Sequence, residues 1–254
     1  ARLSPVQPPK AETAGEPAWR RHAVVSTPNG LPQIAIIIDD MGLDRRLGQA
    51  MAALPGPLTL SFLPYAPELP AQTRAARAAG HELLVHVPME PDHPEASVPA
   101  GVLSVDLSPA EAARRLDWAL GRFDGFVGIN NHMGSRFTAD AGHLRPVLEE
   151  LKRRGLLFVD SRTSARTVGP AIAHDLGLPF VGRDVFLDHD DDAAAIQARL
   201  REVEAVARRQ GYAVAIGHPR ERTLAALKEW LPTASARGLV LVPVSAIVYR
   251  LAPV

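Results

Sequence analysis

Cysteine is absent from the 254 residues. Disulfides and thiolate metal sites are therefore excluded, and any metal must be held by imidazole or carboxylate. A chain without thiols also suits an oxidising compartment. Net charge is missing too, because 28 basic residues balance 28 acidic ones. That balance gives no electrostatic reason to expect nucleic acid or an anionic membrane surface as partner. No apolar run approaches the roughly 20 residues that span a bilayer. No glycine-rich phosphate fingerprint follows the first apolar run, which argues against dinucleotide binding.

What is present is ample apolar material, 46% of the chain, enough for one large α/β domain or two small ones. Residues 1–32 stand apart, with Pro5, Pro8, Pro9, Pro17, Pro28 and Pro32 among small and charged residues. No helical or strand period survives there, so this segment is expected to be a disordered linker. A tether to a membrane anchor or signal upstream of Ala1 is the expected use.

From Gln33 the pattern changes. Ile34-Ala35-Ile36-Ile37-Ile38 is short and β-branched, hence a buried strand, and it runs into Asp39 and Asp40. Strand-like and helix-like stretches then alternate. Strands are expected at Leu58–Phe62, Glu82–Val87, Phe126–Asn130, Leu156–Val159, Pro179–Val181, Ala213–Ile216 and Gly238–Val244. Helices are expected at 44–54, 68–79, from Ser108, at 143–154, 163–175, 193–210 and 221–231. Residues 91–105 form a proline-bearing loop. Alternation at this spacing means parallel strands with crossover helices. The fold class is α/β, a distorted or incomplete (β/α) barrel of about seven to eight parallel strands, with a doubly wound open sheet as the alternative.

In such folds the chemistry sits beyond the carboxyl ends of the strands. Those ends carry Asp39 and Asp40, His86 and Glu90, Asn130 to Ser135, Asp160 to Arg162, Asp188, and His218. Neutral imidazole and carboxylate are the ligands of catalytic zinc and similar divalent ions. Asp40, His86 and His132 would supply such a set, Asp39 a base, and His218 an acid on the far side. Asn130 and Asn131 could alternatively just form a turn. The acidic run Asp188 to Asp192 reads as a cap for the next helix, with only Asp188 in the cleft.

These motifs resemble a known family. Gly80-His81-Glu82 leading to His86-Val87-Pro88-Met89-Glu90-Pro91 resembles the second motif of carbohydrate esterase family 4 polysaccharide deacetylases. Asp39-Asp40 and Ile216-Gly217-His218 are similar to its first and last motifs. Asp-Asp-Met-Gly, His-Val-Pro-Met-Glu-Pro, Asn-Asn-His-Met-Gly-Ser and Gly-His-Pro together look like the divergent polysaccharide deacetylase family of bacterial envelope proteins. The resemblance covers 33–248. It implies a metal-dependent hydrolase, zinc-bearing and periplasmic or envelope-associated, that removes an N-acetyl or related acyl group from a carbohydrate. Asp39 would be the base, His218 the acid, and Asp40, His86 and His132 the ligands. Glu90, standing where the esterase motif has its second histidine, is a further candidate ligand. Asn131, Ser135, Asp160, Arg162 and Asp188 are expected to contact substrate. The rival reading is a non-catalytic glycan- or protein-binding barrel.

Overall fold

The computed structural model describes residues 15–26, 30–93 and 101–251. A short helix, α1 (Ala18–Arg21), precedes β1 (Gln33–Met41), α2 (Arg45–Ala52), β2 (Thr59–Phe62), α3 (Leu69–Ala78) and β3 (Glu82–Met89). The chain continues with α4 (Pro109–Leu120), β4 (Gly128–Met133), α5 (Ala141–Arg153), β5 (Leu157–Asp160) and α6 (Gly169–Leu176). It closes with β6 (Phe180–Gly182), β7 (Val185–Phe186), α7 (Ala193–Gln210), β8 (Tyr212–Gly217), α8 (Glu221–Trp230), β9 (Val240–Leu241) and α9 (Val244–Leu251).

The strands are parallel and run in the order β6-β5-β4-β3-β2-β1-β8-β7, with β9 paired to the start of β1. β6 and β7 stand at opposite ends of that order, yet only Arg183 and Asp184 separate them. The Arg183 N–H donates to Asp160 of β5, and the next N–H, of Asp184, donates to Val214 of β8. One segment therefore leaves one sheet edge and joins the other, curling the sheet into a distorted (β/α) barrel.

β1 shows why these residues form a strand. Ile34, Ile36 and Ile38 pack outward against the helices, while Ala35 and Ile37 join Leu84, Val159, Val214 and Ile216 in the interior. The period of two serves two apolar surfaces at once, so the sequence reads as continuously hydrophobic. At the N-terminal end of the strands, Trp19 of α1 and Ile247 and Val248 of α9 belong to that same interior cluster. They plug that end of the barrel. Glu82, fully buried, fastens the plug by accepting hydrogen bonds from the N–H groups of Ser245 (3.0 Å) and Val24 (3.3 Å).

Several expectations are corrected. The expected linker includes α1: Trp19 is only 4% exposed and its N–H donates to Gly155 at 2.9 Å. A proline-rich composition concealed one large buried aromatic. The remainder of that segment, 1–14 and 27–29, lies outside the described residues, as do 94–100 of the loop expected over 91–105. The helix expected over 163–175 starts only at Gly169, because Thr163 and Thr167 use their hydroxyls on Met133 and Asp160. The last expected strand shrinks to Val240–Leu241, and Val244 opens α9, where the apolar run plugs the barrel. Two helices carry side-chain caps: Ser108 accepts from the Glu111 N–H, and Asp192, last of the acidic run expected to cap its helix, accepts from that of Ala195.

Removing the plug's aromatic should be costly. Trp19→Ala is expected to lower unfolding stability by roughly 3–5 kcal/mol, measured by denaturant titration. An unchanged midpoint would show that α1 does not contribute to the folded barrel.

Candidate active site

In a regular strand, neighbouring side chains point to opposite faces. Asp39 and Asp40 nevertheless face the same imidazole: His86 Nε2 lies 3.6 Å from an Asp39 oxygen and 3.3 Å from Asp40 Oδ1. Two local features permit this. The β1–β2 register shifts between Ile38 and Met41, and Asp40 has a left-handed backbone with φ of 53°. The bulge and the turned backbone swing the second carboxylate inward. Met133 and Arg162 share the left-handed conformation at the ends of β4 and β5. Each such residue costs about 1–3 kcal/mol, and strain of this kind concentrates where function needs a fixed geometry.

His86 sits beside Asn130 in the β3–β4 register, and His132 follows two residues later on the same face. Asn130 is fully buried and acts as the hub. Its Oδ1 accepts from Ser61 and faces His86 Nδ1 at 2.9 Å, while its Nδ2 donates to Asp39 Oδ1 at 2.8 Å and to Ser161 at 3.1 Å. This network assigns a proton to His86 Nδ1, so Nε2 is the ring atom that faces Asp40. His132 Nδ1 lies 3.0 Å from Asp40 Oδ1 and 3.3 Å from His86 Nε2.

The donor set fits a cation. One ligand atom each from Asp40, His86 and His132 falls within 4.8 Å of the others. Asp40 Oδ1, at their centre, is buried and accepts no properly directed hydrogen bond. An orphaned carboxylate oxygen facing two imidazole nitrogens costs free energy as it stands. A divalent ion would remove that cost, and two nitrogens plus one oxygen is a ligand set of catalytic zinc.

His218 follows β8, whose Gly217 lies beside Ile38 of β1. Its Nδ1 meets Asp188 Oδ1 at 2.8 Å, while its Nε2 points toward Asp40 at 3.9 Å. Asp188 also accepts from the His218 N–H (2.7 Å) and the Thr223 hydroxyl (2.7 Å). Charges follow from these contacts. Burial pushes Asp39 up, above the usual carboxylate range, despite the nearby histidines and Asn130. For Asp40, burial is outweighed by the two imidazoles beside it, His132 and His86, which favour the ionised form when protonated, and its carboxyl falls well below the usual range. Burial would lower His218, but Asp188, with Asp39 and Asp40, raises it. The same contest raises His86, where Asp39 and Asp40 win.

The structure thus brings Asp39, Asp40, His86, His132 and His218 together. The other expected residues have partners of their own. Glu90 is not turned toward the triad: it accepts from Ser104 (2.7 Å), the Val105 N–H (2.8 Å) and Arg136 (2.6 Å). Against the effect of burial, those partners hold it below the usual carboxylate range. Asp160 is buried, with its oxygens taken by the Arg162 N–H and Thr167. Buried Asn131 bonds Met133 and the Ser161 N–H, tying β4 to β5. Ser135 accepts from the Asp92 N–H and anchors that loop. Asp188, fully buried, reaches the centre only through His218. Of the five residues expected to contact substrate, Arg162 is exposed, Ser135 half-buried and the other three buried. Asn130, Ser61 and Thr223 were missed. The signal for Asn130 was present, since it lies two residues before His132 and shares its face.

Metal binding tests the ligand assignment. Asp40→Ala, His86→Ala and His132→Ala should each sharply lower zinc stoichiometry in dialysed protein measured by elemental analysis, whereas Glu90→Ala should retain it. Full zinc in His132→Ala, or loss in Glu90→Ala, would overturn the assignment.

Comparison with known proteins gives the family and the fold. The profile of the divergent polysaccharide deacetylases matches residues 36–248. An uncharacterised protein of Haemophilus influenzae is 34% identical over 199 residues, covering 78% of this chain and 71% of that one. The crystal structure of an uncharacterised Agrobacterium tumefaciens protein superposes with a TM-score of 0.91 at 30% identity, covering 95% of this chain and 99% of that one. The catalytic domain of a peptidoglycan N-acetylglucosamine deacetylase from Eubacterium rectale shares the fold at 14% identity, with a TM-score of 0.54 over 86% of this chain and 90% of that one. The chain belongs to the divergent polysaccharide deacetylase family.

Proposed function

We propose that the protein is a metal-dependent hydrolase that removes an N-acetyl, or closely related acyl, group from an envelope carbohydrate. The observation that carries this reading is a carboxylate and an imidazole, Asp39 and the Asp188-held His218, flanking a three-residue cation site. Asp40, His86 and His132 would hold the ion, zinc by its donors. When bound, it supplies Lewis acidity toward the acyl oxygen and lowers the pKa of a nearby water.

The chain's own residues handle the protons. Asn130 fixes one oxygen of Asp39, leaving the other to accept a proton from the attacking water. The raised Asp39 carboxyl is a stronger base than an ordinary aspartate. Asp188 keeps the His218 Nδ1 proton in place, so Nε2 is the atom that faces the site and delivers its proton. As the new C–O bond forms and the amide C–N bond breaks, that proton goes to the departing sugar nitrogen. The products are a carboxylic acid and a free amine. Phe186, its ring centroid 5.4 Å from that of His218, offers an apolar wall beside the leaving group. The family supports the carbohydrate substrate, and the envelope location is proposed with it.

Acetate release from N-acetylated amino-sugar polymers by zinc-loaded protein tests the activity. Asp39→Asn and His218→Asn should each cut turnover about a hundredfold or more while leaving zinc bound. No release across chitin, peptidoglycan and exopolysaccharide fragments would favour a binding protein instead. The pH dependence tests the dyad. His218 must be protonated to act, so activity falls as pH rises through its raised pKa. Asp188→Asn removes the carboxylate that raises it, and the alkaline limb should move to lower pH. An unmoved limb would detach Asp188 from the proton donor.

A further inference from the structure

Two arginines stand together just beyond the carboxyl ends of β5 and β6. Arg162 lies two residues beyond β5 with a left-handed φ of 50°. Arg183 lies in the β6–β7 crossing. Each guanidinium is held by the other's backbone: Arg162 Nη1 donates to the Arg183 carbonyl at 3.2 Å, and Arg183 Nη2 donates to that of Arg162 at 3.0 Å. Arg183 Nε also donates to the Ser161 carbonyl at 2.7 Å. Gly182 leaves room for this, since a Cβ there would fall 2.5 Å from Arg162 Nε.

The pair has no directly bonded counter-charge, although Asp160, Asp39 and Asp184 act on Arg183 from a distance. Among the described residues neither guanidinium makes an ion pair, and the nearby carboxylates are committed elsewhere. Asp160 serves the Arg162 N–H and Thr167, and Asp184 serves Gln210 and the Val214 N–H. Burial and the Arg162 charge together push the Arg183 guanidinium down. Holding two like charges side by side costs free energy that an anion would return, and the guanidinium fork suits planar oxyanions.

The pair also adjoins the proposed chemistry. Ser161, whose carbonyl holds Arg183, contacts Asn130, which holds Asp39. The Arg183 guanidinium lies 5.0 Å over the Phe186 ring, which in turn neighbours His218.

We infer that Arg162 and Arg183 form an oxyanion subsite, and that the glycan acted on carries a carboxylate or phosphate close to its acylated amino sugar. This rests on reading the mouth as a glycan site, and it specifies the substrate class as acidic. Nothing in the clasp selects the acetamido group itself; it selects the charged neighbour.

Binding, read by calorimetry in zinc-containing buffer at low salt, tests this without requiring turnover. The probes are hyaluronan hexasaccharide for carboxylate, an N-acetylglucosamine oligomer joined by phosphodiesters for phosphate, and neutral chitohexaose. At least one anionic probe should bind about tenfold or more tighter than chitohexaose. Arg162→Gln should abolish most of that preference while leaving chitohexaose affinity and melting temperature unchanged. Arg183→Lys, which keeps the charge but loses the fork, should weaken it in part. The anionic arm that depends on Arg162 identifies the group recognised. Equal affinity for all three probes would overturn the inference. So would a preference that survives Arg162→Gln but is lost in Asp40→Asn, because the anion would then sit at the cation site. Absence of hydrolysis would sink the catalytic reading and leave this result standing.

Discussion

Two adjacent carboxylates at a buried strand end are a standing electrostatic problem, and most of the site consists of answers to it. Repulsion and desolvation both oppose ionising Asp39 beside Asp40. The answers differ. Asp39 receives an amide hydrogen bond from Asn130 and stays hard to ionise. Asp40 gathers two imidazoles and ionises readily. Neighbours in sequence thereby acquire opposite chemical tendencies, one suited to taking up protons and the other to holding a cation. The β1 bulge and the left-handed Asp40 backbone make the division possible.

The barrel and its central residues were legible because they depend on local signals. β-branched runs ending in polar residues mark parallel strands, and period-two spacing places His132 on a known face. Illegible were the features set by contacts between distant segments. Trp19 was hidden in a proline-rich stretch because its partners lie on α9 and beside Gly155. The apolar run at Val244 gave no sign that it would turn helical and plug the barrel. Asn130 looked like a turn residue, although its partners Ser61, His86, Asp39 and Ser161 come from four other segments.

The strand-end carboxylates show a second limit. Asp160 and Asp188, expected to contact substrate, and Glu90, a candidate metal ligand, are all spent inside the protein. A carboxylate there can hold a loop, orient a histidine or meet a ligand, and residue type does not separate these uses. What separates them is the supply of nearby donors. Asp160 and Glu90 are surrounded by backbone N–H and hydroxyl groups from their own loops, whereas Asp40 Oδ1 is left with none.

The plug built from Trp19 and α9 has a topological consequence. With the N-terminal end filled by side chains, the barrel is a blind cup, not a tunnel. A polymer cannot thread through it and must lie across the rim, presenting one residue at a time. Under the proposed activity chain ends are then not required, so an interior unit of a long glycan would be as reachable as a terminal one, and the released acid would depart by the route the sugar came in.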